Sequence, residues 1–151
     1  MRVSGFTLVE LMVAVAILAV ISAVAMPFYT QYSLRTFRSE GQADLMACGQ
    51  AMERFAAVNF TYQNAADTDA DGIGDADAGA IADAVCSPDS VAQGRYAITV
   101  NGTAVGFVLT ATPAGRMAGD GLMTFDGAGN RAWDENNDGD TTDAGEQDWA
   151  Y

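Results

Sequence analysis

The residues best placed to do chemistry are acids set two apart. Residues 67–77 read DTDADGIGDAD: Asp67, Asp69 and Asp71 alternate, Gly72 permits a sharp turn, and Asp75 stands ninth counting from Asp67. Alternate residues of a tightly curved loop can aim carboxylates at one point, and the hard Ca²⁺ ion takes roughly six to eight such oxygens. The backbone carbonyl at the seventh position, Ile73, fits that scheme; the twelfth position is Ala78, where an EF-hand places a bidentate Glu. A second stretch, DENNDGDTTDAGEQDW, alternates Asp134, Asn136 and Asp138 before Gly139, and Asp143, Glu146 or Asp148 could close its shell. The expectation is Ca²⁺ in the first loop and, with less regular spacing, in the second. Neither loop is flanked by a helix pair, so both read as calcium-binding insertions rather than EF-hands. The competing reading is a pair of solvated acidic loops that only confer solubility.

Charge supports both readings. The chain has 151 residues, with 20 acids against 7 bases, no His, and a formal net charge of −13. Thirteen acids lie within 67–83 and 134–148, and the other seven match the seven Arg, so the net charge resides in two patches. Such patches attract cations and repel nucleic acid, and no basic cluster offers DNA a footing on the head. The lack of His removes the commonest general base, so an enzyme is not expected. A paired-carboxylate glycosidase needs facing acids, not Asp residues in one Gly-interrupted run.

The elements that must carry these loops begin with an apolar N-terminus. From Phe6 to Met26 the only charged residue is Glu10, and a helix of that run measures about 30 Å, one hydrocarbon core. Two fates compete. Ala23-Val24-Ala25 is an A-x-A site, so a secretory signal cut after Ala25 would release a soluble calcium-binding module starting at Met26. A carboxylate inside an apolar helix, however, costs up to ~3 kcal/mol and usually has a partner; cleavage after Gly5 would create one in the α-amino group of Phe6.

The segment MRVSGFTLVELMVAVAILAV resembles the class III signal of type IV prepilins, with a short polar leader, Gly5 before the cut, Phe6 after it and Glu10 four residues on. The resemblance implies that prepilin peptidase cuts after Gly5 and methylates the Phe6 amine. The spanning helix then stays on the mature protein, held in the inner membrane with the head in the periplasm. Within filaments of that family the residue matching Glu10 neutralises the Phe6 amine of a neighbouring subunit. Pro27 matches the position where pilin helices bend, consistent with the backbone hydrogen bond that proline removes.

After Pro27, Leu34, Phe37, Gly41, Leu45, Cys48, Met52 and Phe55 recur at steps of three or four, the pattern of an amphipathic helix running to about Asn59. Tyr96, Ile98 and Val100 alternate along a strand, and Asn101-Gly102 reads as a two-residue hairpin turn that sets Ile98 opposite Val105 and Tyr96 opposite Phe107. Further strands are expected at Leu122 to Asp126 and Arg131 to Trp133. The fold class is α+β: a long N-terminal helix, half membrane-spanning and half amphipathic, packed on an antiparallel sheet of about four strands. The divisions are a leader at 1–5, a transmembrane or filament-core helix at 6–26, its amphipathic half at 27–60, an acidic loop at 61–94, the sheet at 95–133 and an acidic C-terminal loop at 134–151. The order of elements also resembles pilins, and MERFAAVNFTY and FVLTATPAGRMAGD look like minor pilins of the PilE type.

Cys48 falls on the packed helix face and Cys86 follows the first acidic loop. Either they form a disulfide, closing a loop worth roughly 4 kcal/mol in the chain-entropy treatment, or they are two buried thiols. PilE-type pilins carry a second cysteine pair that staples the C-terminal loop, and here Gly121 and Ala132 occupy the matching places, so something else must restrain residues 134–151. The resemblance implies a structural minor pilin whose partners are other pilin subunits and the assembly machinery, serving adhesion, twitching or uptake. The nearest alternative is a pseudopilin of type II secretion.

Overall fold

The computed structural model describes residues 7–149. The chain divides into two units, one ending at Thr36 and one beginning at Phe37, and helix α1 (Leu8–Asn59) contributes to both. The first unit is the N-terminal stretch of α1, whose apolar side chains, Leu8 through Phe28, all stand exposed. Pro27 lies within α1. Having no N–H, it leaves the Ala23 carbonyl without its helical donor. The turn that follows is supported by the Thr30 hydroxyl, which donates to the Met26 carbonyl at 3.1 Å.

The second unit packs the remainder of α1 on a six-stranded antiparallel sheet whose order follows the sequence: β1 (Ala66–Asp67), β2 (Ala78–Ile81), β3 (Tyr96–Gly102), β4 (Phe107–Pro113), β5 (Met123–Asp126) and β6 (Arg131–Trp133). A short helix α2 (Asp89–Ala92) precedes β3, and a 3₁₀ turn spans Gly115–Met117. The expected amphipathic stripe is there, with Gly41, Leu45, Cys48 and Met52 buried on α1. The sheet answers with Tyr96, Ile98, Val100, Phe107, Leu109, Ala111 and Met123. Two helix positions owe their burial to lacking a side chain. A Cβ on Gly49 would lie 2.4 Å from the Phe125 ring and one on Gly41 2.8 Å from the Tyr96 ring, so these glycines let sheet aromatics close on the helix axis.

Two expectations are corrected. The sheet has six strands rather than about four, because β1 and β2 arise inside the stretch taken for an acidic loop; β2 reads AGAI, and Ala and Gly carry little strand signal. The β3–β4 hairpin does not turn on Asn101-Gly102. Both residues belong to β3, Gly102 pairs with Phe107, and Ile98 faces Ala111 rather than Val105, just as Tyr96 faces Pro113 rather than Phe107. Gly102 is held in the strand by close approach, since a Cβ there would lie 2.0 Å from the Tyr62 carbonyl oxygen. The turn is instead Thr103–Gly106, closed by the Thr103 hydroxyl, which accepts from Gly106 N at 3.0 Å and donates to the Gly106 carbonyl at 2.9 Å. The partner of Ile98 slides by an even number of residues, so the faces assigned to Tyr96, Ile98, Phe107 and Leu109 survive, while Val105 moves to the exposed tip.

Cys48 and Cys86 form a disulfide with Cα atoms 5.4 Å apart, which ties α1 to the segment between β2 and α2. Arg38, buried on α1, reaches Asp120 with Nε donating to Oδ2 at 2.8 Å, and its guanidinium lies 3.8 Å from the centre of the Trp133 ring.

Candidate functional site

Three places carry the residues singled out by sequence: the start of α1 and the two acidic loops. Gly5 and Phe6 lie outside the described residues. Glu10 stands in the first turn of α1, where Thr7 and Glu10 satisfy one another: the Thr7 backbone N–H and hydroxyl donate to Glu10 Oε2 at 2.9 and 2.8 Å, and Glu10 N donates back to Thr7 Oγ1 at 3.2 Å. This is a capping box, and T-x-x-E is its sequence signature, readable in FTLVE. The carboxylate also sits at the positive end of the helix dipole. Beyond it, residues 11–34 of α1 carry no charged side chain, and the helix is long and apolar enough to cross a membrane.

The first acidic loop joins β1 to β2. Asp67, Asp69 and Asp71 present carboxylate oxygens that all lie within 4.8 Å of one another. What holds them is a succession of backbone donors: Gly72 N and Ala70 N to Asp67, both at 2.7 Å, Asp71 N to Asp69 at 3.3 Å, and Ile73 N to Asp71 at 2.8 Å. Desolvation raises the Asp67 carboxyl, but these N–H groups outweigh it and keep it below the usual Asp range. Asp75 does not join the cluster; both its oxygens accept from the Thr68 hydroxyl. Ile73 is 62% exposed.

The second loop repeats the first position by position. Gly139 N donates to Asp134 Oδ2 at 3.0 Å, as Gly72 N does to Asp67 Oδ2. Asp138 N donates to Asn136 and Asp140 N to Asp138, as Asp71 N and Ile73 N do in the first loop. Ala70 and Asn137 both adopt positive φ, 63° and 55°, and Gly72 and Gly139 follow at 85° and 100°. The loops differ in depth. Asp134 is 1% and Glu146 4% exposed, and Asn136 Nδ2 donates to both Asp138 (3.1 Å) and Asp143 (2.9 Å), drawing those carboxylates together. Asp148 is turned elsewhere, accepting from Trp149 N at 2.7 Å.

The segment after this loop returns along β6. Trp133 N donates to the Glu146 carbonyl at 2.8 Å, and Trp149 Nε1 to the Ala132 carbonyl at 3.0 Å, with the Trp149 ring 6.0 Å from Phe125. Gly121, which stands at a place matching the second cysteine pair of PilE-type pilins, has no room for a side chain: a Cβ there would meet the Asp134 carbonyl oxygen at 1.6 Å. Trp133 and Trp149 thus anchor the segment that follows the second loop.

A family profile described as "Type IV minor pilin ComP, DNA uptake sequence receptor" matches residues 27–124, and one for the prokaryotic N-terminal methylation motif matches residues 1–26. The chain belongs to the type IV pilin family. The two profiles together cover the apolar N-terminus and the chain as far as β5. Among similar proteins, the type IV major pilin PilE of Neisseria gonorrhoeae is 45% identical over 60 residues, 40% of this chain and 32% of that protein. A fimbrial protein of Neisseria meningitidis serogroup B is 50% identical over 60 residues, again 40% and 32%. The major pilin PilA of Myxococcus xanthus is 35% identical over 63 residues, 42% of this chain and 29% of its own length. The pilin chain thus spans about a third of the curated relatives it matches. No solved structure matches it.

Proposed function

We propose that this pilin is a minor, structural subunit of a type IV pilus. Prepilin peptidase cuts after Gly5, the Phe6 amine is methylated, and α1 passes from the inner membrane into the core of the filament, leaving the head first in the periplasm and then outside the cell. The observation that carries this reading is the stretch of α1 from Leu8 to Phe28, whose large apolar side chains stand exposed and whose only charge is Glu10, four residues after Phe6 in the sequence. Such a surface demands either lipid or sister helices. A charge near its end fixes the stagger that apolar contacts leave free. No reaction is assigned to the protein.

Mass spectrometry of the protein purified from cells is the test. A methylated Phe6 at the N-terminus is the expected result; a mature chain starting at Met26 would refute assembly and favour a secreted module. Deletion distinguishes the pseudopilin reading, because loss of surface pili with normal enzyme secretion is expected here.

The profile matched by residues 27–124 names a receptor for DNA, and the electrostatics of this head run against that role. The net charge is −13, Arg38 is engaged by Asp120, and Arg95 pairs with Glu40 while covering Phe37. Phosphate contacts need clustered bases. The head is therefore expected to leave duplex DNA unretarded in a gel at low salt, and retention there would overturn this part of the proposal.

A further inference from the structure

The second acidic loop contains a carboxylate that its surroundings do not explain. Glu146 is 96% buried, given its 4% exposure. Its Oε1 accepts a long bond from Asn136 N, within the same loop, at 3.4 Å, and its Oε2 is fully buried with no hydrogen-bond partner among the described residues. A buried charge is costly unless it is paired, hydrogen-bonded or coordinated to a metal. No Arg has an ion pair with Glu146 among the described residues; Arg38 pairs with Asp120 and Arg95 with Glu40.

We infer that residues 134–146 form a calcium site closed by Glu146, with Asp134, Asn136, Asp138 and Asp143 as the other side-chain donors. The donor set is all oxygen and carries four carboxylates, which suits a hard cation and disfavours zinc or copper in a chain without His and with both cysteines in a disulfide. Calcium fits better than magnesium, because a flexible loop of many carboxylates provides high coordination without strict octahedral geometry. The first acidic loop does not share the distinguishing feature. Its acids are exposed or half-exposed and bound by the loop's own N–H groups. Its Asp67, Asp69 and Asp71 oxygens lie within 4.8 Å of one another, so a variant of that loop serves to separate its response from that of the second.

The site would also do mechanical work. Glu146 is the residue whose carbonyl accepts from Trp133 N, so an ion holding its side chain to Asp134 and Asp138 pins the returning segment to β6. That is the restraint a second disulfide would otherwise provide, and it does not depend on the filament reading.

The test is calorimetric titration of the full chain, in detergent micelles and stripped of metal with a chelator, with CaCl₂ alone. Saturable binding in the range of extracellular modules, roughly 0.1–1 mM or tighter, is expected. Trp149 emission should change and residues 134–149 should gain protection from protease. Glu146→Gln should weaken the affinity at least tenfold, with circular dichroism and the disulfide unchanged. If that variant does not fold, Asp143→Asn should show the same loss. The double change Asp69→Asn with Asp71→Asn in the first loop should leave the Trp149 response intact. The inference is overturned by a Glu146→Gln protein that binds as the wild type does. Absence of both heat and protection at millimolar calcium, or equal protection by MgCl₂ at the same concentration, overturns it as well.

Discussion

Arg38 and Asp120, 82 residues apart in sequence, meet as a two-pronged ion pair between α1 and the turn that precedes β5, with side chains only 11% and 8% exposed. The indole of Trp133 covers the guanidinium, and its Nε1 donates to the Asp120 carbonyl at 2.8 Å. One cluster thereby joins helix, turn and final strand. Removing one partner leaves a buried charge uncompensated, so Arg38→Ala is expected to cost about 3–5 kcal/mol, and Arg38→Lys to recover only part because it loses the planar fork and the stacking. Urea unfolding of the two variants measures this; a loss below 1 kcal/mol for Arg38→Ala would show the pair to be incidental.

The Cys48–Cys86 bond closes the loop that contains β1, the first acidic loop and β2. Reduction, or Cys86→Ser with Cys48→Ala, should lower stability by about 2–4 kcal/mol. Protease should then cut first between residues 60 and 90, because that segment loses its tie to α1. Cleavage elsewhere would place the weak point outside the loop.

Ala70 holds a left-handed backbone at φ 63° with its Cβ exposed to solvent. That conformation costs an Ala roughly 1 kcal/mol relative to Gly. Ala70→Gly is therefore expected to be neutral or stabilising by up to ~1 kcal/mol, and Ala70→Val destabilising. A clear loss of stability for the glycine variant in thermal unfolding would contradict the assignment of the turn.

Acid should weaken the β5–β6 hairpin. Burial raises the Asp126 carboxyl, but the side chain and N–H of Asn130 and the N–H of Ala128 outweigh it and hold it below the usual Asp range. With the folded value depressed, the stabilisation is fully present above the unfolded value of about 3.9 and is lost as pH falls through the folded value. Stability should thus fall below about pH 4, and Asp126→Asn should flatten part of that decline. An unchanged slope in the variant would assign acid sensitivity to other carboxylates.

Glu10→Ala is expected to leave membrane insertion intact and to impair incorporation into filaments. Thr7→Ala removes the local partner but keeps the charge, so it should reduce helix stability by about 1 kcal/mol with little effect on incorporation. Equal incorporation of wild-type and Glu10→Ala subunits would refute charge pairing in assembly.

The sequence carried most of this fold through periodicity. Gly41, Leu45, Cys48 and Met52 sit where the helical spacing put them, and the helix ends at Asn59 as read. Strand faces were legible too, since alternation survives a register change by an even number. What could not be read was register itself: Asn101-Gly102 is a strong local turn signal, but the approach of the Tyr62 carbonyl to Gly102 is a tertiary fact that overrides it. Strands β1 and β2 were hidden by Ala and Gly, and Arg38 by its position among polar helix residues, since nothing local announces that an Arg will be buried against Asp120. Of the acid patterns, spacing alone favoured the first loop. Burial, visible only after folding, shifts the weight to Glu146.

The return of residues 146–149 along β6 has a further consequence. β6 is the last strand of the sheet, and an uncovered final strand offers its free backbone groups to any other strand that comes close. Here the Glu146 carbonyl occupies Trp133 N, one of the backbone groups on the outer side of β6. The returning segment acts as a selvedge at Trp133, so loosening it bares that N–H to any strand that comes close.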